Sequence, residues 1–314
     1  MRFPLSVPTN KPFDAVGFGL NAVDHLIVVP RYPDFDTKTR LLEHKLSAGG
    51  QTATAMVALT RLGLKTAYAG RFGSDAEGHF GLATLKDEGV NTEHAEMVAG
   101  SATQIAFITI EEQSGERTIV WDRDDRLAYK PEEAPSDFGS QGRVLHLDAH
   151  DPPACVRVAR DAKQAGTIIS ADIDNVYEGL PELLPYIDLL LGSKEFPGRV
   201  TGIRDGRTAL VELQNRFGSV MTGMTLGDQG VIIYCNGRYL ESPAFAAPGG
   251  CRDTTGAGDA FRGGFLYGLL TGEDIETSMK FGNAVAAMKC SKLGARPGLP
   301  TKQQLEEFLM SDML

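Results

Sequence analysis

Asp253-Thr254-Thr255-Gly256-Ala257-Gly258-Asp259-Ala260-Phe261 sets two glycines and an acid at the mouth of an apolar run that continues through Phe265, Leu266, Leu269 and Leu270. The spacing predicts a glycine turn opening a helix, with a carboxylate in its first turn. A helix start leaves several backbone N–H groups without partners and carries the positive end of the helix dipole. Glycines let that backbone close on an anion, so a phosphate fits here. An acid inside an anion seat is electrostatically unfavourable unless it reacts. The work it suits is that of a general base, taking a proton from a hydroxyl as it attacks phosphorus. The competing reading is a helix cap, because acids favour first turns anyway. Two glycines flanking Ala257, directly against Asp259, favour chemistry.

Two further glycine turns stand in the chain. Gly49-Gly50 leads into a helix expected from Gln51 to Leu62 and lined by Ala53, Ala55 and Ala58. Thr225-Leu226-Gly227-Asp228-Gln229-Gly230 follows a strand end and, taken alone, reads as an ordinary turn. Asp24 sits where a first strand turns into a second; it is either a turn acid or a carboxylate placed to accept from sugar hydroxyls. Gly17-Phe18-Gly19-Leu20-Asn21-Ala22 fits the dinucleotide fingerprint GxGxxA, which requires a helix immediately after it. Here His25-Leu26-Ile27-Val28-Val29-Pro30 follows, a strand pattern closed by proline. A dinucleotide-dependent oxidoreductase is therefore the rival reading rather than the favoured one. GxxxxGK[ST], GxSxG and HExxH do not occur.

These turns need a frame to hold them. The 314 residues are 42% hydrophobic and 23% charged, enough for a sizeable core. Thirty-one basic and 41 acidic side chains give a net charge of −10, which argues against nucleic-acid and membrane partners. Four cysteines are widely spaced without a CxxC pair, which argues against a disulfide framework and a zinc finger. The proline-interrupted stretch Met1 to Phe13 has no signal-peptide pattern, and a cytoplasmic location is expected. Strands at Phe13–Gly19, Lys65–Ala69 and Val144–Leu147, and further ones to Thr222, alternate with helices. Near-continuous apolar strands of this kind predict a mostly parallel, doubly wound sheet covered by helices on both faces. Ligands of such sheets lie at the carboxyl ends of the strands. Leu42–Leu46 and the hairpin Gln104–Ile110/Arg117–Trp121 predict a small separate sheet. The expected division is an α/β core of residues 1–35, 48–99 and 123–314, with a lid inserted as 36–47 and 100–122. Asn236-Gly237 predicts a second hairpin.

Together the three turns cease to be isolated. The stretch from Asp253 to Phe261 closely resembles the C-terminal signature of the ribokinase-like (PfkB) carbohydrate kinases. Gly49-Gly50 with its Ala-rich helix, Arg61-Leu62-Gly63 and Gly70-Arg71-Phe72-Gly73-Ser74-Asp75-Ala76-Glu77-Gly78 resemble the N-terminal signature. Order and spacing match from about residue 13 to 309. The resemblance implies a three-layer α/β/α domain with a small β lid, and an enzyme that transfers the γ-phosphoryl group of ATP to a sugar hydroxymethyl with the help of Mg²⁺. It implies Asp259 as catalytic base and Gly256, Ala257 and Gly258 as the anion hole. Asp24, Gly49, Gly50 and Thr54 fall on the sugar side. Lys194, Thr225, Gly227, Gly230 and Asn283 fall on the nucleotide side. Glu195 falls where Mg²⁺ is held indirectly, and Asp253 and Thr255 where many members bind a monovalent cation such as K⁺. Two positions depart from the pattern: Gly192 and Thr54 stand where asparagines are usual. Gly50–Ala55, Ala286–Cys290 and Gly294–Gly298 look most like sulfofructose kinases, which take a ketose with an anionic end. Lys38, Arg40 and Arg123 are cations of the lid region that either meet such a charge or, the favoured reading for each taken singly, are solvated lid charges. His150, beside Asp148, is read as structural. The open lid edges imply a homodimer through the lid. A nucleoside kinase of the same fold is the nearest alternative, and a non-catalytic sugar sensor a more distant one.

Overall fold

The first apolar run forms β1 (Phe13–Phe18), and the stretch beyond it is β2 (Ala22–Val29), with no helix between them. The dinucleotide fingerprint thus lacks the helix that its chemistry requires. β3 (Glu43–Gly49) leads into α1 (Gln51–Arg61), followed by β4 (Thr66–Gly73), α2 (Ala76–Asp87) and β5 (Asn91–Val98). β6 (Ile105–Glu111) and β7 (Arg117–Asp122) form the expected hairpin. β8 (Gly142–Leu147), α3 (Pro152–Gln164), β9 (Ile168–Ile173), α4 (Leu180–Leu183) and β10 (Leu189–Gly192) alternate. α5 (Phe196–Thr201), α6 (Gly206–Phe217) and β11 (Met221–Thr225) continue that pattern. β12 (Val231–Cys235) and β13 (Arg238–Ser242) flank the Asn236-Gly237 turn. α7 (Ala257–Thr271), α8 (Ile275–Cys290) and α9 (Lys302–Ser311) complete the chain. This computed structural model describes residues 1–311, so the last three residues of the expected 123–314 segment lie outside the described ones.

Nine strands form the large sheet in the order β13-β12-β11-β10-β9-β8-β1-β4-β5. All pairs from β11 to β5 are parallel, and the pairings β11–β12 and β12–β13 at one edge are antiparallel. Alternate residues of each buried strand serve opposite faces. Ala15, Val144, Leu189 and Leu191 pack with Met56, Phe261 and Phe265 of the α1/α7/α8 layer. Val16, Phe18, Leu145 and Leu147 pack with Val158 and Leu183 of the α3/α4 layer. The three-layer α/β/α architecture is therefore a direct consequence of strands that are apolar on both faces.

A four-stranded sheet, order β3-β2-β6-β7, forms the lid. Here the expected boundaries need correction. The expected core segment 1–35 includes β2, yet β2 pairs antiparallel with β3 and parallel with β6 at the centre of the small sheet. Residues 36–42, expected in the lid, form no strand. The reason is that β2 is apolar enough to read as a core strand, but its buried face serves a separate small cluster of Leu26, Val28, Ala106, Ile108, Ile110 and Leu293. β5 escapes sequence reading because its residues are polar and half-buried, as suits an edge strand.

Candidate active site

A cleft of about 890 Å³ opens between the carboxyl ends of the parallel strands and the inner face of the lid. Leu20, His150, Asp172, Ser193 and Thr225 bring the ends of β1, β8, β9, β10 and β11 to its wall. Ala22 and Asp24 of β2, with Ile108, Ile119 and Trp121 of the hairpin, close it from the lid side.

The start of α7 forms its floor. Gly256 caps the helix in the left-handed region (φ +76°), and a Cβ there would stand 2.7 Å from the Ala295 Cβ, so both backbone shape and space require glycine. Gly256, Ala257 and Gly258 all face the cleft. The Ala257 N–H donates to the Thr254 carbonyl at 3.2 Å. Of the expected anion-hole groups, Gly258 therefore presents the first-turn amide without an intrahelical acceptor. Asp259 is half-buried in that first turn. Burial, and next the neighbouring Asp172 carboxylate, raise its pKa to about 7. Arg262, one turn on, opposes that rise.

Arg262 and Asp172 are the functional pair that sequence reasoning missed. Arg262 is 1% exposed and holds Asp172 Oδ1 at 2.8 Å from Nη2. Its Nε and Nη1 have no partner among the described residues, and Nη1 and Asp172 Oδ2 lie equally near (3.9 Å) to the position that a Cβ on Gly258 would take. A buried guanidinium with free donors beside a helix N-terminus is built to meet an anion. The signal was present: an arginine inside a run as apolar as Ala260–Leu270 needs a buried partner.

At the lid end Asp24 is almost fully buried. Burial raises its pKa to about 7, against the pull of Arg296. A Cβ on Gly49 would collide with the Asp24 carboxylate, which explains that glycine as a close approach. Arg296, also buried, donates to the Gly49 carbonyl at 2.6 Å and to Thr84 Oγ1 at 3.1 Å. Gly50 lines the cleft and caps α1. Thr54 does not line it. Its side chain is buried in α1, with Oγ1 lacking a partner. Arg123 is also misplaced by the expectation: both its terminal nitrogens bind the Asp151 carboxylate (2.8 and 3.0 Å), outside the cleft, so its charge is already neutralised. Lys38 and Arg40 are exposed on the loop before β3, away from the cleft lining. The cations that do line it are Arg117, Arg199 and Arg262. His150 packs between Trp121 (ring centroids 6.0 Å apart) and Tyr177 (4.8 Å), making an aromatic wall.

At the opposite end Thr225, Gly227 and Asn283 line the cleft. Asn283 donates from Nδ2 to the Ser242 and Pro243 carbonyls, tying α8 to the end of β13. Gly230 stands behind this wall, where a Cβ would collide with Ser242, and so serves the turn. Lys194 and Glu195 are exposed outside the lining, while Ser193 is in it. The carboxylates that do face the cleft near Asp259 are Asp172 and Asp174. Asp253 and Thr255 come together as expected, but the residues do not fit a monovalent cation. Lys289 Nζ donates to the Asp253 carbonyl at 2.6 Å, on the oxygen such an ion needs.

The profile of the pfkB family carbohydrate kinases matches residues 18–302. A ribokinase of Haemophilus influenzae is 29% identical over 296 residues, covering 91% of this chain and 95% of that protein. A nucleoside kinase of Methanothermobacter thermautotrophicus is 27% identical over 301 residues, covering 94% and 95%. The solved structure of a putative ribokinase from Agrobacterium tumefaciens superimposes with a TM-score of 0.85 at 25% identity, covering 95% of this chain and 98% of that one.

Proposed function

The chain belongs to the pfkB family of carbohydrate kinases, and we propose that it transfers the γ-phosphoryl group of ATP to a sugar hydroxymethyl group with Asp259 as general base. The observation that carries this reading is the half-buried Asp259 directly behind the Gly256–Gly258 turn on the floor of the cleft between core and lid. Asp259 takes the proton of the attacking hydroxyl. The first-turn amide of Gly258 and the free Nη1 of Arg262 hold the transferring oxygens, since positioning and charge neutralisation are what phosphoryl transfer requires. ATP lies toward Thr225, Gly227 and Asn283, and the sugar toward Asp24, Gly49 and Gly50. Asp174, a carboxylate of the cleft wall, would hold Mg²⁺ arriving with the nucleotide, which would offset the phosphate charge.

The acceptor we favour is a ketose or an anionic ketose derivative, because Arg117 lines the cleft close enough to Asp24 to act on its charge and so offers a cation on the sugar side. An ATP-consumption screen against sugars, sugar phosphates, sulfosugars and nucleosides tests this. Turnover confined to nucleosides would replace the sugar reading. That second reading has its own support in the Trp121–His150–Tyr177 wall, which suits stacking on a base. The charge balance and the enzyme class suit a cytoplasmic protein.

The base sets a pH dependence. A carboxyl with a pKa of about 7 is protonated, and idle, below that value. kcat/KM on the accepted sugar is expected to rise with pH and level off above about 7. An Asp24→Asn variant should raise KM for the sugar and keep that limb; loss of the limb in this variant would move the assignment from Asp259 to Asp24.

The lid is proposed to pair with a second copy of the chain. Leu46, His25, Phe107 and Val120 face one another in register across all four lid strands, on the surface opposite the cleft. Phe107 and Val120 are exposed there, and an apolar row of this kind calls for a cover. Sedimentation equilibrium is expected to give a dimer for the wild type and a monomer for Val120→Lys; an unaltered mass in the variant would place any contact elsewhere.

A further inference from the structure

We infer that Lys289 is a built-in cation, which takes the place of a bound monovalent ion beneath the phosphoryl site and makes the enzyme independent of K⁺. This rests on the reading of the Gly256–Gly258 turn as the phosphoryl seat. The segment that leads into that turn is organised by Asp253, which is fully buried. Its Oδ1 accepts from the Thr255 N–H at 2.8 Å and its Oδ2 from the Gly294 N–H at 2.7 Å. A buried carboxylate with both oxygens so engaged calls for a counter-charge beside it. The backbone carbonyl of the same residue adds a strong acceptor. Carboxylate, carbonyl and the partnerless Thr255 Oγ1 form the oxygen-rich corner that a monovalent cation would take.

That corner is already served. Lys289 comes from the last turn of α8 with its side chain 0% exposed. Its ammonium donates to the Asp253 carbonyl at 2.6 Å and stands 3.9 Å from Asp253 Oδ2. A second unit cation on the same carbonyl would meet the ammonium at contact distance in a dry site, where like charges repel strongly. The α8 backbone reinforces the contact, because the Arg252 and Asp253 N–H groups both donate to the Cys290 carbonyl. Lys289 is therefore a positioning residue. It fixes Asp253, Asp253 fixes the Thr255 N–H, and Thr255 precedes the glycine turn that holds the phosphoryl group.

The test compares wild type and Lys289→Ala in potassium chloride and in choline chloride at equal ionic strength. Both turnover and melting temperature are read. The wild type is expected to give the same kcat, within about 1.5-fold, and the same melting temperature in both salts. Lys289→Ala is expected to lose about tenfold or more of kcat in choline, to recover several-fold in K⁺, and to melt higher in K⁺ than in choline. A purely structural lysine would not make rescue selective for one cation. Activation of the wild type several-fold by K⁺, or a wild-type melting temperature raised by K⁺, would overturn the inference. So would a folded Lys289→Ala with unaltered turnover in choline. If the alanine variant does not fold, the wild-type comparison alone decides. If no acceptor is phosphorylated, the kinase reading fails, and the melting temperatures still decide the cation question.

Discussion

Asp259→Asn is expected to lower kcat about 1000-fold on the accepted sugar while leaving nucleotide affinity within about threefold of the wild type. The substitution keeps size and hydrogen-bonding capacity in the first turn of α7, so the glycine turn ahead of it should keep its shape. What disappears is the group on the cleft floor placed to take a proton from the attacking hydroxyl. Removing a negative charge from beside the phosphate seat can only help the nucleotide bind. Two further consequences separate this prediction from a general loss of fold. The rise of activity with pH should vanish in whatever turnover remains. The melting temperature should also increase near and above pH 7. Burial raises the folded-state pKa of Asp259 to about 7, above the value in the unfolded chain. The folded state thus loses stability as pH rises between those two values, and the neutral amide escapes that loss. A base held in such an environment would cost stability for the sake of function. Near-normal turnover by the Asp259→Asn variant would remove Asp259 from the chemistry. An unaltered melting temperature at pH 8 would contradict the electrostatic account of its site.

Where sequence reasoning succeeded, local signals and global requirements coincided. The Gly256–Asp259 turn, the Asn236-Gly237 hairpin and the two-faced apolar strands each specify backbone geometry through a few neighbouring residues. The sheet then follows, because successive strands apolar on both faces and separated by helices are typical of a parallel, helix-covered sheet. Where it fell short, the deciding partner was distant in sequence. β2 looks like any core strand, and only the positions of β6 and Leu293 assign it to the lid. Arg123 is a free lid cation in sequence and a neutralised one in space, because Asp151 lies 28 residues away. Lys194 and Glu195 sit in a stretch whose neighbour Ser193 faces the cleft, and the start of α5 turns the other two outward. Thr54 fits the helix pattern of α1, which directs it into the interior. Lys289 is buried against Asp253, which lies 36 positions earlier in the chain.

The Arg262–Asp172 pair shows how much of the site such distant partners carry, and Arg262→Met is expected to have two separable effects. The first is structural. Asp172, 5% exposed, would keep its carboxylate and lose its counter-charge. Breaking a buried pair on one side typically costs about 3–5 kcal/mol, a drop of roughly 10 °C in melting temperature for a chain of this size. The second is catalytic. The free Nη1 beside Gly258 disappears, and loss of one preorganised donor at a developing oxyanion typically lowers kcat about 100-fold or more. Arg262 also holds down the pKa of Asp259. Its removal should therefore move the ascending limb of the pH profile above 7, which no simple packing defect would do. Adding Asp172→Asn to Arg262→Met removes the stranded charge. The double variant is expected to regain most of the lost melting temperature, because a buried pair replaced on both sides can be nearly neutral. It is not expected to regain kcat, since the donor is still missing. The pH limb should lie back toward its wild-type position, because Asp172 no longer raises the pKa of Asp259. If stability and turnover recovered together, Arg262 would be a purely structural partner of Asp172. If neither recovered, the two side chains would not act as a pair.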